Sequence, residues 1–329
     1  MNISIKDVAR HAGVAVSTVS KVINGKSCRS GIADRVKTSI SELGYIPNPY
    51  ARAVRKRTSG CLGIMIDSKC KSSSLWFNDL LLALCKTAAE QSYQVHLAYI
   101  DSNQDRWELA DFSQRVDGVV LIGDFNDFFF QQYNSIFNIP TVNYWYANPV
   151  NNSCILSIAI DNAFIQMLEH LRAADHHSIG VVCGHDKANR EKLSVLQTLI
   201  NSMPDFKMQL YREYSTSANH STAGWDCTEQ LLNKHPEITA VFYCSDNYAI
   251  SGMCFLGKHK ISVPDDISIV SFDHTTWAQS HIPRTTAVGF DYDELAQKLL
   301  TAILQQEHSK NIEINANFYR NGTTSGAKR

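Results

Sequence analysis

Apolar positions change their spacing near residue 60. From Ser4 to Leu43 they recur every three or four residues, and the pattern breaks twice. Ile5, Val8, Ala9 and Ala12 fall on one helical face. Ser4 followed by Asp7 three residues on is a capping-box start. Gly13 supplies a turn, with Val14 placed to pack under it. Val19, Val22 and Ile23 form a second inward face, which leaves Val16, Ser17, Thr18, Ser20 and Lys21 outward before Asn24-Gly25 stops the helix. After Arg29 a third helix is predicted over 30–43, with Ile32, Val36, Ile40 and Leu43 inward. Three short helices so closely joined fit a helix-turn-helix module, whose second helix enters the DNA major groove, or an ordinary three-helix mini-domain.

Beyond residue 60 short apolar runs alternate with helical stretches. Leu62–Ile66 precedes a helix over 75–91, Gln94–Ile100 one over 104–115, and Gly118–Ile122 one over 126–137. The alternation restarts at Ile155–Ile160, Ser178–Cys183, Ala240–Cys244 and Ser268–Phe272. Asp291 with Glu294 marks one more helix start. Strand–helix alternation predicts parallel sheets covered on both faces, and the length suits two such lobes. The fold class expected is an N-terminal all-α helix-turn-helix domain followed by a two-lobed α/β body.

Charge separates the two parts. Residues 1–60 carry eleven Lys/Arg against three acids, a net of +8, and the other 269 residues carry 20 against 29, a net of −9. A small basic module on an acidic body is the layout of a chain that neutralises phosphates with one end. That favours the DNA-binding alternative for the helices. No apolar run nears the roughly 20 residues that span a bilayer, and Met1-Asn2-Ile3-Ser4 opens no signal peptide, so a cytoplasmic protein is expected. The nine cysteines include no Cys-x-x-Cys and read as reduced thiols. His176-His177 has no partner at zinc spacing, and neither a metal nor a cofactor is expected. A Gly-rich phosphate loop, a nucleophile elbow and a paired catalytic constellation are all missing, which argues against an enzyme.

Several strings then carry a specific resemblance. Ile5-Lys6-Asp7-Val8-Ala9, Ala12-Gly13-Val14, Thr18-Val19-Ser20 with Val22-Ile23-Asn24, and Leu43-Gly44-Tyr45-Ile46-Pro47-Asn48 open the series. Arg52, Val116-Asp117-Gly118, Ile139-Pro140, Asp161-Asn162, Ser245-Asp246, Val263-Pro264-Asp265-Asp266-Ile267-Ser268, Phe272-Asp273 and Arg320-Asn321-Gly322-Thr323-Thr324 continue it in order. Together they resemble the lactose-repressor/galactose-repressor family of bacterial transcription regulators across essentially the whole chain.

The resemblance implies a helix-turn-helix domain over 1–46 and a hinge over 47–60. It implies a periplasmic-binding-protein-like effector and dimerisation body over 61–329, with lobe one about 61–160 plus 290–311 and lobe two about 161–289 plus 312–329. Matching positions make Val16, Ser17 and Lys21 the base readers. Thr18, Asn24, Tyr45, Asn48, Arg52, Val54, Arg55 and Lys56 are assigned to the DNA backbone and minor groove. Arg55-Lys56-Arg57 also fits a solvated linker. Val54 stands where the family wedges a leucine between base pairs, and Ala15 where it usually caps the recognition helix with serine. The implied effector residues are Trp76, Phe77, Trp145, Asp161, Lys192, Ser245 and Asp273. Arg190 rivals Lys192, Ser245 replaces a commoner asparagine, the aromatics could be core, and Asp246 could be a helix cap. The expected function is a repressor that binds a palindromic operator as a homodimer under control of a small-molecule effector such as a sugar. A periplasmic-type sugar-binding receptor is the alternative that the body alone would suit.

Overall fold

A computed structural model describes residues 3–23, 25–46, 58–68, 74–101, 106–123, 125–144, 153–203, 208–214, 220–305 and 311–327. The chain divides into two compact units, Met1–Ser59 and Gly60–Arg329.

The first unit holds α1 (Ile5–Ala12), α2 (Val16–Ile23) and α3 (Ser30–Leu43). Its core is small: Val8, Ala9, Ala12, Val19 and Val36, with Val14, Val22, Ile40 and Tyr45 packed around them. At the start of α1 the Ser4 backbone N–H and hydroxyl both donate to Asp7 Oδ2, at 3.0 and 2.6 Å. The same bonds hold the Asp7 carboxyl below its usual range. Gly13 ends α1 at φ +63°, the left-handed conformation that costs a glycine nothing, and its neighbour Val14 donates to Ala9 O at 3.0 Å. His11 Nδ1 meets Ser39 Oγ at 3.1 Å and ties α1 to α3.

The second unit contains two six-stranded sheets. The first comprises β1 (Cys61–Asp67), β2 (Gln94–Ile100), β3 (Gly118–Ile122), β4 (Thr141–Tyr144), β5 (Ser153–Ala159) and β11 (Asn311–Asn315), in the order β11-β5-β4-β3-β1-β2. The second comprises β6 (Ser178–Cys183), β7 (Gln209–Tyr214), β8 (Ala240–Tyr243), β9 (Ser268–Asp273), β10 (Thr286–Gly289) and β12 (Asn317–Tyr319), ordered β12-β10-β9-β8-β6-β7. The pairs are parallel except β10 with β12. Inner strands such as β3 and β9 are buried at every residue, because helices cover both faces.

Those helices are α4 (Leu75–Glu90), α5 (Arg106–Ser113), α6 (Asp127–Ile136), α7 (Asp161–Ala173), α8 (Lys187–Ser202), α9 (His220–Lys234), α10 (Asp246–Lys258), α11 (Thr276–Ser280) and α12 (Tyr292–Leu304). The Asp291 carboxylate caps α12 by accepting from Glu294 N at 3.0 Å, as the sequence predicts. The chain passes between sheets three times: after β5, after β10 and after β11. The last passage falls at Ala316, between β11 and β12, rather than at the 311/312 boundary expected from sequence. The reason is that 311–315 pairs in register with 155–159 of the first sheet. No helix among the described residues is long and apolar enough to cross a membrane.

Candidate functional site

Two sets of residues stand out, one in each unit. On α2, Val19 points inward and is fully buried, and positions 17 and 21, one turn apart on the opposite side, face outward, with Val16 at the margin between the two faces. Val16, Ser17 and Lys21 are all exposed, and Thr18 and Tyr45 are half-buried beside them in the chain's first unit. Val16 retains 37% of its surface. Lys6, Arg10, Lys21, Lys26, Arg29, Arg35 and Lys37 are likewise all exposed. The Ala15 carbonyl accepts from Thr18 N (2.9 Å) and Val19 N (3.2 Å), so Ala15 opens α2 as a cap residue does but offers it no side-chain oxygen. Asn24, Asn48, Arg52, Val54, Arg55 and Lys56 lie outside the described residues, as does Trp145.

In the second unit the C-terminal ends of β6, β8 and β9 converge on a buried ion pair. Lys192, on α8, and Asp273, at the end of β9, are 6% and 4% exposed, with Nζ and Oδ1 3.9 Å apart. Lys192 Nζ also donates to Cys244 O at 2.9 Å and lies 3.8 Å from the centre of the Phe272 ring. Asp273 has φ +115°, a costly conformation for a residue with a Cβ. Its Oδ2 accepts from Asp246 N at 3.3 Å, and the Ser245 hydroxyl bonds the same carboxyl. Burial pushes the Asp273 carboxyl up to about 6 against the pull of Lys192. Arg190 is exposed and bonds the His185 carbonyl instead, so Lys192 is the basic residue that the fold sets beside Asp273.

The cap of α10 is Ser245 and not Asp246: Ser245 Oγ accepts from Asn247 N at 3.2 Å. Asp246 is instead fully buried and anchors the loop after β9. It accepts from Thr275 N (2.8 Å), Thr275 Oγ1 (2.7 Å) and the Ser271 hydroxyl. Burial and the neighbouring Asp273 charge push it up to about 7.

The first lobe supplies aromatics. Trp76 stacks on Tyr144 with centroids 5.4 Å apart, and burial with the Asp273 charge holds the Tyr144 phenol well above its usual range. Phe77, next to Trp76 on α4, turns the other way: it is 3% exposed and belongs to the core. Asp161 is exposed at the first turn of α7. Hydrogen bonds between the lobes include Leu75 N to Asn247 Oδ1 (3.1 Å), Thr276 N to Asp79 Oδ2 (2.6 Å) and Tyr292 Oη to Asp273 O (3.0 Å). Sequence reasoning missed Asp79, Asn247 and Tyr292. Tyr292 stands directly after the Asp291 cap, the one signal that could have found it. A separate cavity of about 410 Å³ opens beside these bridges, with Asp79, Lys86, His274, Gln279, Asp291 and Tyr319 in its wall. None of the site residues predicted from the sequence lines it.

Comparison with known proteins accords with this division. Residues 4–48 match the family described as bacterial regulatory proteins, lacI family, and residues 168–317 match a periplasmic binding protein-like domain. The repressor PurR of Proteus mirabilis is 27% identical over 324 residues, covering 94% of each chain. Catabolite control protein A of Priestia megaterium is 24% identical over 317 residues, 93% of this chain and 94% of that one. Among solved structures, the lac repressor dimer bound to operator and an anti-inducer superposes with TM-score 0.79 at 22% identity, covering 99% of this chain and 100% of that one. A CelR–cellobiose complex superposes with TM-score 0.67 at 21% identity, covering 98% and 99%. The chain thus joins an N-terminal domain of the lacI family of bacterial regulatory proteins to a periplasmic binding protein-like domain.

Proposed function

We propose that the protein is a sequence-specific transcriptional repressor that occupies a palindromic operator as a homodimer. A small polyhydroxylated effector, a sugar or sugar derivative, controls it from the cleft between the lobes. The observation that carries this reading is the outward row Val16, Ser17 and Lys21 on α2, in a unit whose described Lys and Arg side chains are all exposed. Lys21 addresses guanine O6/N7, Val16 touches a thymine methyl, and Ser17 donates or accepts at either base type. Thr18, Asn24, Tyr45, Asn48, Arg52, Arg55 and Lys56 are assigned to phosphates and groove walls, with Val54 as the wedge at the central base step. One such module covers a half-site, so two copies at fixed spacing are needed for tight binding. The solved lac repressor dimer on its operator supports that partner and that assembly.

In the cleft, Trp76 offers an aromatic face for the apolar side of a pyranose, while Lys192, Ser245 and Asp273 orient hydroxyls. Trp145 and Asp161 complete the proposed set. A plain sugar receptor accounts for the cleft but leaves the exposed face of α2 without a use.

Selection from a random duplex library, followed by anisotropy titration, tests the proposal. The expected result is an inverted-repeat consensus bound with a steep inverse salt dependence. Recovery of no consensus, with equal affinity for all duplexes, would count against it.

A further inference from the structure

We propose that Cys183 and Cys244 form a two-cysteine oxidation site under the effector cleft, which peroxides convert to a reversible disulfide. Cys183 ends β6 and Cys244 follows β8, and these strands are parallel neighbours with Val182 opposite Tyr243. The next pair in register is therefore Cys183 and Cys244, and Cys244 N donates to Val182 O at 2.9 Å, so the pairing continues to that point. Both side chains belong to the core that holds Val181 and Phe242, while Val182 and Tyr243 face the other core, so the two thiols lie on one side of the sheet. Neighbouring strands run about 4.8 Å apart, inside the Cα separation of about 4.4–6.8 Å that a disulfide spans.

The pair is chemically unequal. The Cys244 thiol is hydrogen-bonded to the Cys183 sulfur. That bond, with the Arg212 charge, lowers the Cys183 thiol, whereas Cys244 is raised well above the usual thiol range. Cys183 is thus the nucleophile and Cys244 the resolving thiol. The Cys183 thiolate, its proton released to water, attacks one peroxide oxygen. The O–O bond breaks, hydroxide leaves and is protonated to water, and Cys183 becomes a sulfenic acid. The Cys244 sulfur then attacks Cys183 Sγ, the S–O bond breaks, and a second water leaves with the thiol proton as the S–S bond forms. Two thiols lose two electrons, and one peroxide becomes two waters.

The site lies against the proposed effector anchor. The Cys244 carbonyl seats Lys192 Nζ, and Lys192 faces Asp273. Drawing Cys244 toward Cys183 moves that seat. This consequence rests on the assignment of Lys192 and Asp273 to effector control; the disulfide itself does not.

The test is hydrogen peroxide titration of the full-length protein, then blocking of free thiols, proteolysis and mass mapping. The expected product is a Cys183–Cys244 cross-linked peptide that dithiothreitol removes and that C183A and C244A both lack. Mapping needs only the wild type, so a variant that fails to fold does not decide the matter. The site is refuted if Cys183 and Cys244 stay free once the exposed Cys85 and Cys254 have reacted, or if Cys183 links to the buried Cys227 instead. In a second arm, affinity for the selected operator is compared before and after oxidation, with tight binding by the reduced protein as the control for DNA recognition. A change of about fivefold or more is expected; equal affinities with the cross-link in place refute the coupling to control.

Discussion

Asp246 and Asp273 are two carboxyls buried in one network, the first pushed up to about 7 and the second to about 6. An acid whose folded value lies above its unfolded one stabilises the fold at low pH, and that contribution is lost as pH rises through the folded value. Between about pH 4 and 7 the folded protein holds protons that the unfolded chain has released. Asp246→Asn removes one of these titrations while keeping an acceptor for Thr275. Its melting temperature relative to wild type, without effector, should therefore increase as pH rises from 5 to 8. A difference that stays constant or shrinks contradicts the burial argument. Lys192 is the only cation described beside Asp273, and Lys192→Met leaves that carboxylate buried and uncompensated. Breaking one partner of a buried pair costs about 3–5 kcal/mol, and the loss measured by urea unfolding should be smaller at pH 5 than at pH 8.

Several of these residue assignments were legible in the sequence and others were not. Trp76 and Phe77 read as an aromatic pair, yet adjacent helical residues project about 100° apart, so one joined the core. Lys192 and Arg190 could not be separated by alignment with a pattern, because which one is buried depends on how α8 is rotated against β8 and β9.

At the scale of the element, the helices were readable because each carries its own apolar face and punctuation: Ser4 with Asp7, Gly13 at positive φ, Asp291 at the start of α12. The inner strands β1, β3, β5, β6, β8 and β9 were readable as apolar runs. The strand β7, Gln209–Tyr214, was not, since it lies at a sheet edge and its polar and apolar residues follow no regular alternation. The short strands β10 and β12 owe their conformation to pairing with each other and with β9, which no local pattern encodes. Two predictions belong here. Ala15→Ser supplies the missing side-chain cap of α2 and should stabilise the first unit by about 1 kcal/mol, seen as a raised midpoint in thermal unfolding monitored by helical ellipticity; no gain would mean that α2 is capped by another group. Within α2, Lys21→Ala should lose about 1–3 kcal/mol of discrimination at one base pair of the selected operator. Lys56→Ala should instead weaken all duplexes alike and lower the salt slope by about 1. Competition titrations with matched and mismatched duplexes separate the two roles, and equal effects of both substitutions would overturn them.

On the scale of the whole molecule, a helix-turn-helix unit precedes a body whose lobes meet through Leu75–Asn247, Asp79–Thr276 and Tyr292–Asp273. An effector acts only through its differential affinity for two arrangements of that body, and the lobe bridges are the contacts that such a difference would work on. Asp273 joins the two: its carboxyl belongs to the proposed effector set, and its carbonyl accepts the bridge from Tyr292. The most direct measurement is the operator affinity of wild type and Asp273→Ala, each with and without the compound that most raises the melting temperature in a panel of sugars, sugar phosphates and purines. Wild-type affinity should change about 5–150-fold, while the variant keeps its effector-free affinity and does not respond. A variant that responds at the same compound concentration contradicts the role of Asp273, and a wild type that responds to no compound in the panel contradicts control through the cleft.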